Sequence, residues 1–255
     1  MKLVPVASAR VFSYTTLALY ESQVPELKDA QSMFTYFSGT VIPLDKKEKF
    51  YGPATANAAI AQILRKFFTD ATNIKTIDSL ETVYNSFHKN VTENDKLTSS
   101  ANYGKQVADV IFEWAKTDGV LKACSPWSPP VELGLWVRTP PGFGPAALHC
   151  LGTNARTFNK DIKTLAQAGP PPAYSTDPGS EYYKYADEVN QYKTSLTSAD
   201  TLFINSWLDF QPKNFNTVSR MNKLQTDILK SQTVHLADAA VRYSKINIAM
   251  FDAIM

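Results

Sequence analysis

The chain has 255 residues, of which 44% are hydrophobic and 12% aromatic, so it is long enough to bury the core of one or two domains. Its 26 basic and 24 acidic residues give a net charge of +2 and form no basic cluster. A nucleic-acid partner is therefore not expected, because binding the phosphate backbone needs a basic patch. No run of about 20 apolar residues occurs, so the sequence predicts no membrane span.

The amino-terminal half carries four stripes of apolar residues at three- and four-residue spacing, which predict amphipathic helices. The first stripe ends near Gly39, the second opens at Pro53, and the fourth ends at Asp118 and Gly119. All four stripes are predicted to face the core. Their members are Leu27, Ala30, Met33, Phe34 and Phe37; Ala56, Ala59, Ile60, Ile63, Leu64 and Phe67; Ile77, Leu80, Val83, Tyr84 and Phe87; Tyr103, Val107, Val110, Ile111 and Trp114.

Ten of the fifteen prolines fall between Pro126 and Pro178 and divide the chain into three parts. Residues 1–119 form an amino-terminal helical block, 120–179 a long ordered Pro- and aromatic-rich loop that wraps the helices, and 180–255 a second helical block. Strand-like alternation is hard to find, so the predicted fold class is all-α, a helical bundle in one structural domain. Two further stripes are predicted core: Tyr182, Tyr185, Ala186, Val189 and Tyr192; Val218, Met221, Leu224, Ile228 and Leu229.

The segment from Gly134 to Pro145, GLWVRTPPGFGP, is the most distinctive part of the loop. Its prolines fix the backbone, and its large aromatic side chains need a surface that covers them, so we expect it to pack against the helices. Trp136, Arg138 and Phe143 are our candidates for the wall or lid of an access channel. A rigid connector whose aromatics fill the nearest groove is the alternative.

Five segments, in a consistent order along the chain, carry a resemblance to a known family. They are ARVFSYTTLALYES (Ala9–Ser22), ATANAAIAQILRKFF (Ala54–Phe68), FEWAKTDG (Phe112–Gly119), GLWVRTPPGFGP (Gly134–Pro145) and PPPAYSTDPGSEYY (Pro170–Tyr183). Together they resemble the amino-terminal half of bacterial vanadium-dependent haloperoxidase-like proteins, relatives of the type 2 phosphatidic acid phosphatases. The sequence departs from that family at Leu151, where an aromatic is frequent, and near Asn216, where FNTVS stands in place of Gly-His-Trp.

The resemblance implies enzyme chemistry whose residues this chain lacks. Haloperoxidases of this kind hold vanadate among lysine, arginine and histidine side chains and oxidise halide with peroxide, and the related phosphatases hydrolyse phosphomonoesters in the same cage. The family places these groups in its carboxy-terminal half, in Lys…Arg-Pro, Ser-Gly-His and Arg…His motifs. None of these motifs occurs here. We therefore expect this chain to contain no catalytic, cofactor-binding or metal-binding residue, and vanadate to belong only to a complete protein.

The end of the chain supports the same expectation. Apolar residues from Thr233 onward predict a helix that runs to Met255, and its last turn has no glycine, asparagine or basic residue that would mark a helix end. The last segment, KINIAMFDAIM, resembles the helix that precedes the first catalytic motif of the family. We expect a chain that is truncated before its catalytic bundle is complete.

Several alternatives stay open on the sequence alone. A helical glycan-binding or scaffold module without catalysis would also explain the aromatic loop, and the sequence does not separate haloperoxidase from phosphatase. For the complete protein, the resemblance implies a small-molecule or anion substrate. It also implies export to the periplasm or cell surface, and it is compatible with a homodimer. Cys124 and Cys150 are a disulfide or two thiols. His88, His149 and His235 are expected to be surface or structural residues.

Overall fold

The structure is a computed structural model that describes residues 5–27, 30–43, 50–122, 128–144, 154–207 and 216–255. All regular structure in these ranges is helical, which confirms the all-α prediction, and every helix there is too short or too polar to cross a bilayer. The α-helices are α1 (Pro5–Gln23), α2 (Met33–Ser38), α3 (Gly52–Phe67), α4 (Ala71–Lys89), α5 (Asn94–Ala115), α6 (Ile162–Leu165), α7 (Glu181–Ser195), α8 (Ser198–Ser206), α9 (Thr217–Lys230) and α10 (Leu236–Ile254).

Short polar side chains set the start of several helices. Ser32 begins α2, Asp70 begins α4 and Thr197 begins α8, each by accepting a hydrogen bond from the backbone N–H three residues later. Gly39 ends α2 with φ 72°, a left-handed conformation that glycine adopts without a steric penalty. The predicted helix from Leu27 is therefore too long at its start, because the Ser32 cap delays α2 to Met33.

Helix α1 is the central element of the bundle. It packs against α3, α5, α9 and α10, so the first helix of the chain contacts the last two. It is buried on most sides, and some of its short polar side chains donate to carbonyls of their own helix. Ser13 donates to the carbonyl of Arg10, and Ser22 donates to that of Leu19. The main core joins the buried side chains Ala9, Tyr14, Leu17, Ala18, Phe34, Ile42, Ile63, Tyr103, Val107, Ala108, Ile111, Ala115, Phe158, Val218, Ile248 and Phe251.

The closest contact between helices is that of α3 with α5, and it depends on Gly104. A Cβ atom at this position would clash with the carbonyl oxygen of Thr55 and lie 3.0 Å from the backbone nitrogen of Ala59. The absence of a side chain at Gly104 therefore lets the two backbones approach each other.

Three predicted core stripes are largely exposed in the structure. The predicted core residues that lie at the surface are Leu80, Val83, Tyr84 and Phe87 of α4; Tyr182, Tyr185, Val189 and Tyr192 of α7; and Met221, Leu224 and Ile228 of α9. On α4 it is Ile77 and His88 that are buried. Spacing predicted correctly that these helices have an apolar face, but it cannot tell whether a described neighbour covers that face.

Replacing Gly104 with alanine is expected to lower the free energy of unfolding by about 1–3 kcal/mol, because forcing a methyl group between α3 and α5 outweighs the gain in helix propensity. Urea unfolding measures the loss. The control is Gly142→Ala, since a Cβ there meets no atom within 4 Å. Equal stability of G104A and G142A would contradict the tight contact.

Candidate functional site

The aromatic loop packs against the segment that leads into α7. Gly134 has φ 84°, and a Cβ atom at this position would overlap the ring of Tyr174. The Tyr174 ring in turn meets that of Tyr182 edge-on, with 5.2 Å between the centroids. A glycine is thus required at the point where the two parts of the loop region meet.

The three candidate wall residues all lie at the surface of this loop. Trp136 is 49% exposed, Phe143 is 55% exposed, and Arg138 is exposed as well. The expectation that the helices cover the two aromatics is not met, because about half of each side chain is exposed. Phe143 also has φ 43°, a left-handed conformation that is unusual for a bulky residue. A role of these residues as a channel wall stays a prediction.

After the loop, Arg156 fixes the chain to the carboxyl end of α5. Its guanidinium donates to the carbonyl oxygens of Trp114 (2.8 Å) and Thr117 (3.2 Å) and lies 4.1 Å from the centre of the Trp114 ring. Its backbone N–H donates to the carbonyl of Asp118 at 2.7 Å. A cation is favoured here because helix carbonyls without a partner concentrate negative charge. Arg156 is therefore a structural residue, and an anion-facing role does not fit this position.

A buried ion pair lies beside this attachment. Arg10 Nε of α1 donates to Asp118 Oδ2 at 2.6 Å, and Arg10 Nη2 donates to the carbonyl of Ala115 at 2.8 Å. Burial, and next the nearby Asp118 charge, raise the pKa of the Tyr14 hydroxyl far above its usual range. Tyr14 therefore stays neutral. Asp118 was interpreted from the sequence as a helix terminator, and the pairing with Arg10 was missed because 108 residues separate the two.

A cavity of about 790 Å³ lies between α2, the chain around α6, and α10. Most of its lining is apolar, with Met33, Phe37 and Ile248 among the contributing side chains. The α2 wall is held by Glu21 of α1, whose carboxylate accepts a hydrogen bond from the backbone N–H of Phe34 at 2.8 Å. Burial raises the pKa of Glu21 above its ordinary value.

Asp252 of α10 joins the cavity to the chain that precedes α6. Its carboxylate accepts hydrogen bonds from the backbone N–H groups of Phe158 (2.7 Å) and Asn159 (2.9 Å). Burial raises its pKa, and these two bonds counteract part of that rise. The role of Asp252 cannot be seen in the sequence, since an acidic residue in a helix gives no sign of a partner more than 90 residues away.

Three of the described arginines have partners within the protein. Arg10 pairs with Asp118, and Arg156 donates to the carbonyl of Trp114. Arg65 pairs with Asp78 and Glu81. No group of three or more potential metal ligands occurs in the described ranges. Two histidines lie in the described ranges. His88 is buried on α4, and His235 is the residue that precedes α10.

Residues named above that lie outside the described ranges include Cys124, His149, Cys150 and Leu151. Whether the two cysteines pair, and whether His149 has a structural role, therefore stay predictions. Asn216, near the other departure from the family pattern, is described. It caps α9 by accepting a hydrogen bond from Ser219 N at 3.0 Å.

Comparison with known proteins identifies the architecture. No family model and no curated protein sequence matches the chain. The crystal structure of a bacterial vanadium-dependent iodoperoxidase superposes on 98% of this chain with a TM-score of 0.82, at 24% sequence identity. The chain has a haloperoxidase-like helical fold. It spans 62% of the length of that solved chain.

This haloperoxidase-like fold places the candidate features in two regions. The wall residues Trp136, Arg138 and Phe143 lie on the loop that meets Tyr174 ahead of α7. The cavity lies beside α10, at the end of the matched region. The residues that fix the structure near these regions include Arg156 and Asp252, which bind backbone groups of this chain.

Replacing Asp252 with asparagine is expected to lower the free energy of unfolding by about 1–3 kcal/mol, because an amide has one acceptor oxygen for two backbone donors. Hydrogen exchange gives the local measurement, since the amides of Phe158 and Asn159 should exchange faster. Asp238→Asn, an exposed change on the same helix, is the control and is expected to cost about 0.5 kcal/mol or less. Equal losses, with unchanged exchange at both amides, would contradict the role of Asp252.

Proposed function

We propose that this chain is the amino-terminal helical portion of a vanadium-dependent haloperoxidase-like enzyme. It supplies packing helices and one wall of the access channel, and the oxyanion-binding residues lie outside it. The observation that carries the proposal is the superposition of nearly the whole chain on a vanadium-dependent iodoperoxidase, of which it spans 62%. The remaining part of such a protein would hold the chemistry.

The surface of the second helical block supports this proposal. Helices α7 and α8 bury none of their residues, and α9 buries only Val218 and Asn222. Exposed apolar area of this extent is unusual for a folded protein unless another element covers it. The large side chains concerned are Tyr185, Val189, Tyr192, Leu202, Phe203, Trp207, Leu224 and Ile228.

The cavity beside α10 supports the proposal in the same way. Its lining is mainly apolar and includes Met255 and Ile248. An apolar concave surface is suited to receive further helices, because burying it removes apolar area from water. Helices that follow the matched region would cover both surfaces.

The role of the aromatic loop in the complete enzyme is to line the route to the oxyanion site. Trp136 and Phe143 supply exposed apolar surface, and Arg138 adds one positive charge, which suits passage of a small anion such as halide. The left-handed backbone of Phe143 fits this role, since strained residues concentrate at functional sites. Vanadate would supply peroxide activation when bound, and in this proposal its ligands come from the rest of the protein.

The test compares this chain with the protein that its complete gene encodes. The reading frame past Met255 is expected to encode Lys…Arg-Pro, Ser-Gly-His and Arg…His motifs. The complete protein should then oxidise iodide with peroxide only after vanadate is added, and this chain alone should be inactive because fixed cations around the oxyanion provide the largest catalytic contribution. Phosphate, which competes for such a cage, should inhibit the oxidation.

Other results of that comparison would overturn the proposal. A stop codon directly after Met255 removes the enzyme and leaves the helical binding or scaffold module, which saturable glycan binding by this chain would identify. Hydrolysis of phosphomonoesters without any halide oxidation would assign the complete protein to the phosphatases.

In the complete enzyme, Trp136→Ala is expected to raise KM for halide several-fold and to leave kcat nearly unchanged, because a wall contacts the substrate before the transition state. Steady-state kinetics of iodide oxidation give both constants. The matched control is Leu133→Ala, since Leu133 is exposed on the same loop and is not a wall candidate. A fall in kcat, or equal effects of the two variants, would rule out a channel wall at Trp136.

A further inference from the structure

Tyrosine side chains cluster where the aromatic loop meets the chain ahead of α7. Tyr174 lies against the loop, since a Cβ atom added to Gly134 would overlap its ring. Trp136, a candidate wall residue, follows Gly134 by two residues, so their two Cα atoms are at most about 7 Å apart. The ring of Tyr182 meets that of Tyr174 edge-on. Tyr174 is therefore beside the surface that lines the proposed route.

The contact with Gly134 leaves the hydroxyl end of the Tyr174 ring accessible. The atoms nearest to a Cβ added at Gly134 are Cγ, Cβ and Cδ1 of Tyr174, which all lie toward its main chain. Tyr174 is 41% exposed, and its hydroxyl makes no hydrogen bond to any of the described residues. A phenol reacts with electrophiles at the ring carbons beside its hydroxyl. In Tyr174 these carbons are at the end of the ring that Gly134 does not cover.

A neighbouring tyrosine on α7 is more exposed but less reactive. Tyr185 is 55% exposed, and its hydroxyl donates to the Glu181 carboxylate at 2.8 Å. This hydrogen bond, and next the Glu181 charge, raise the pKa of Tyr185. Less of Tyr185 is then phenolate, the form that reacts fastest with electrophiles. Tyr174 thus combines an accessible ring, a hydroxyl without such a partner and a position at the loop.

We propose that Tyr174 is a site at which the complete enzyme iodinates itself. This inference rests on the proposed function, which supplies hypoiodous acid from iodide and peroxide. A ring carbon beside the Tyr174 hydroxyl attacks the iodine atom, the iodine–oxygen bond breaks, and hydroxide leaves with the electron pair. That carbon then loses its hydrogen as a proton, which forms water with the hydroxide. The product is monoiodotyrosine; the carbon is oxidised and the iodine reduced, so no further reagent is needed.

Position, and not exposure, selects Tyr174. The reference is Tyr84, which is exposed to a similar extent, 53% against 41%, and lies on α4, a helix that packs mainly against α3. A reagent that acts from bulk solution modifies the two tyrosines at similar rates. A reagent released along the loop meets Tyr174 first, because proximity raises its effective concentration there. The ratio of the two rates therefore separates self-iodination from labelling by the solution.

The test follows the complete enzyme during brief turnover with vanadate, iodide and peroxide. Mass spectrometry of its peptides measures the replacement of hydrogen by iodine at each tyrosine. Tyr174 is expected to be iodinated at least about five-fold faster than Tyr84, whereas hypoiodous acid added directly should label the two within about two-fold of each other. Excess free methionine, whose thioether reduces hypoiodous acid in solution, should suppress the labelling of Tyr84 and leave most of that of Tyr174.

Two matched variants locate the label. Tyr174→Phe keeps the ring that packs against Gly134 and removes the activating hydroxyl, so it should fold, oxidise iodide at an unchanged rate and lose the label at residue 174. Tyr84→Phe should leave the labelling of Tyr174 unchanged.

Triiodide formation, measured without methionine, distinguishes failure of this inference from failure of the proposed function. Without triiodide the proposed function fails, and self-iodination fails with it. Triiodide together with a ratio of Tyr174 to Tyr84 labelling equal to that of added hypoiodous acid overturns self-iodination alone. Loss of the Tyr174 label in the presence of methionine has the same consequence.

Discussion

The buried ion pair between Arg10 and Asp118 is the constraint on which the rest of the structure depends. It joins the central helix to the residue that follows α5, and Asp118 Oδ1 also accepts from the backbone N–H of Val120 at 3.0 Å. Burying two charges is costly, so a pair like this one contributes mainly by fixing geometry. Arg156 binds the same end of α5, and the chain therefore returns from the aromatic loop at the point where α1 and α5 meet. The aromatic core around Tyr14 and Phe158 is assembled at that point.

Local sequence signals were sufficient to predict several helices and some of their limits. Pro53 opens α3, Gly39 ends α2, and Gly119, with φ 77°, follows α5 as expected. These signals succeed because propensity and capping act within a few residues. They could not assign what each helix contacts. Ile77 of α4 is buried and its stripe neighbour Leu80 is not, although both have the same hydrophobic spacing.

The candidate site was less predictable because its contacts join distant parts of the chain. The pairing of Asp252 with the backbone of Phe158 has no signature, since any acceptor on α10 would look the same in the sequence. The exposure of Trp136 has a similar cause: whether a large aromatic is covered depends on surfaces elsewhere in the fold. The loop has three glycines, Gly134, Gly142 and Gly144, and the sequence identifies neither which of them makes a close contact nor Tyr174 as the partner of Gly134.

The uncovered apolar surfaces need a partner that the described residues do not supply. Helices α7 and α8 bury none of their residues, and the cavity beside α10 is lined mainly by apolar side chains. The iodoperoxidase chain is longer than this one, and 38% of it has no counterpart here. Under the proposed function, the corresponding part of the complete protein supplies helices that cover such faces, because burying apolar area removes it from water.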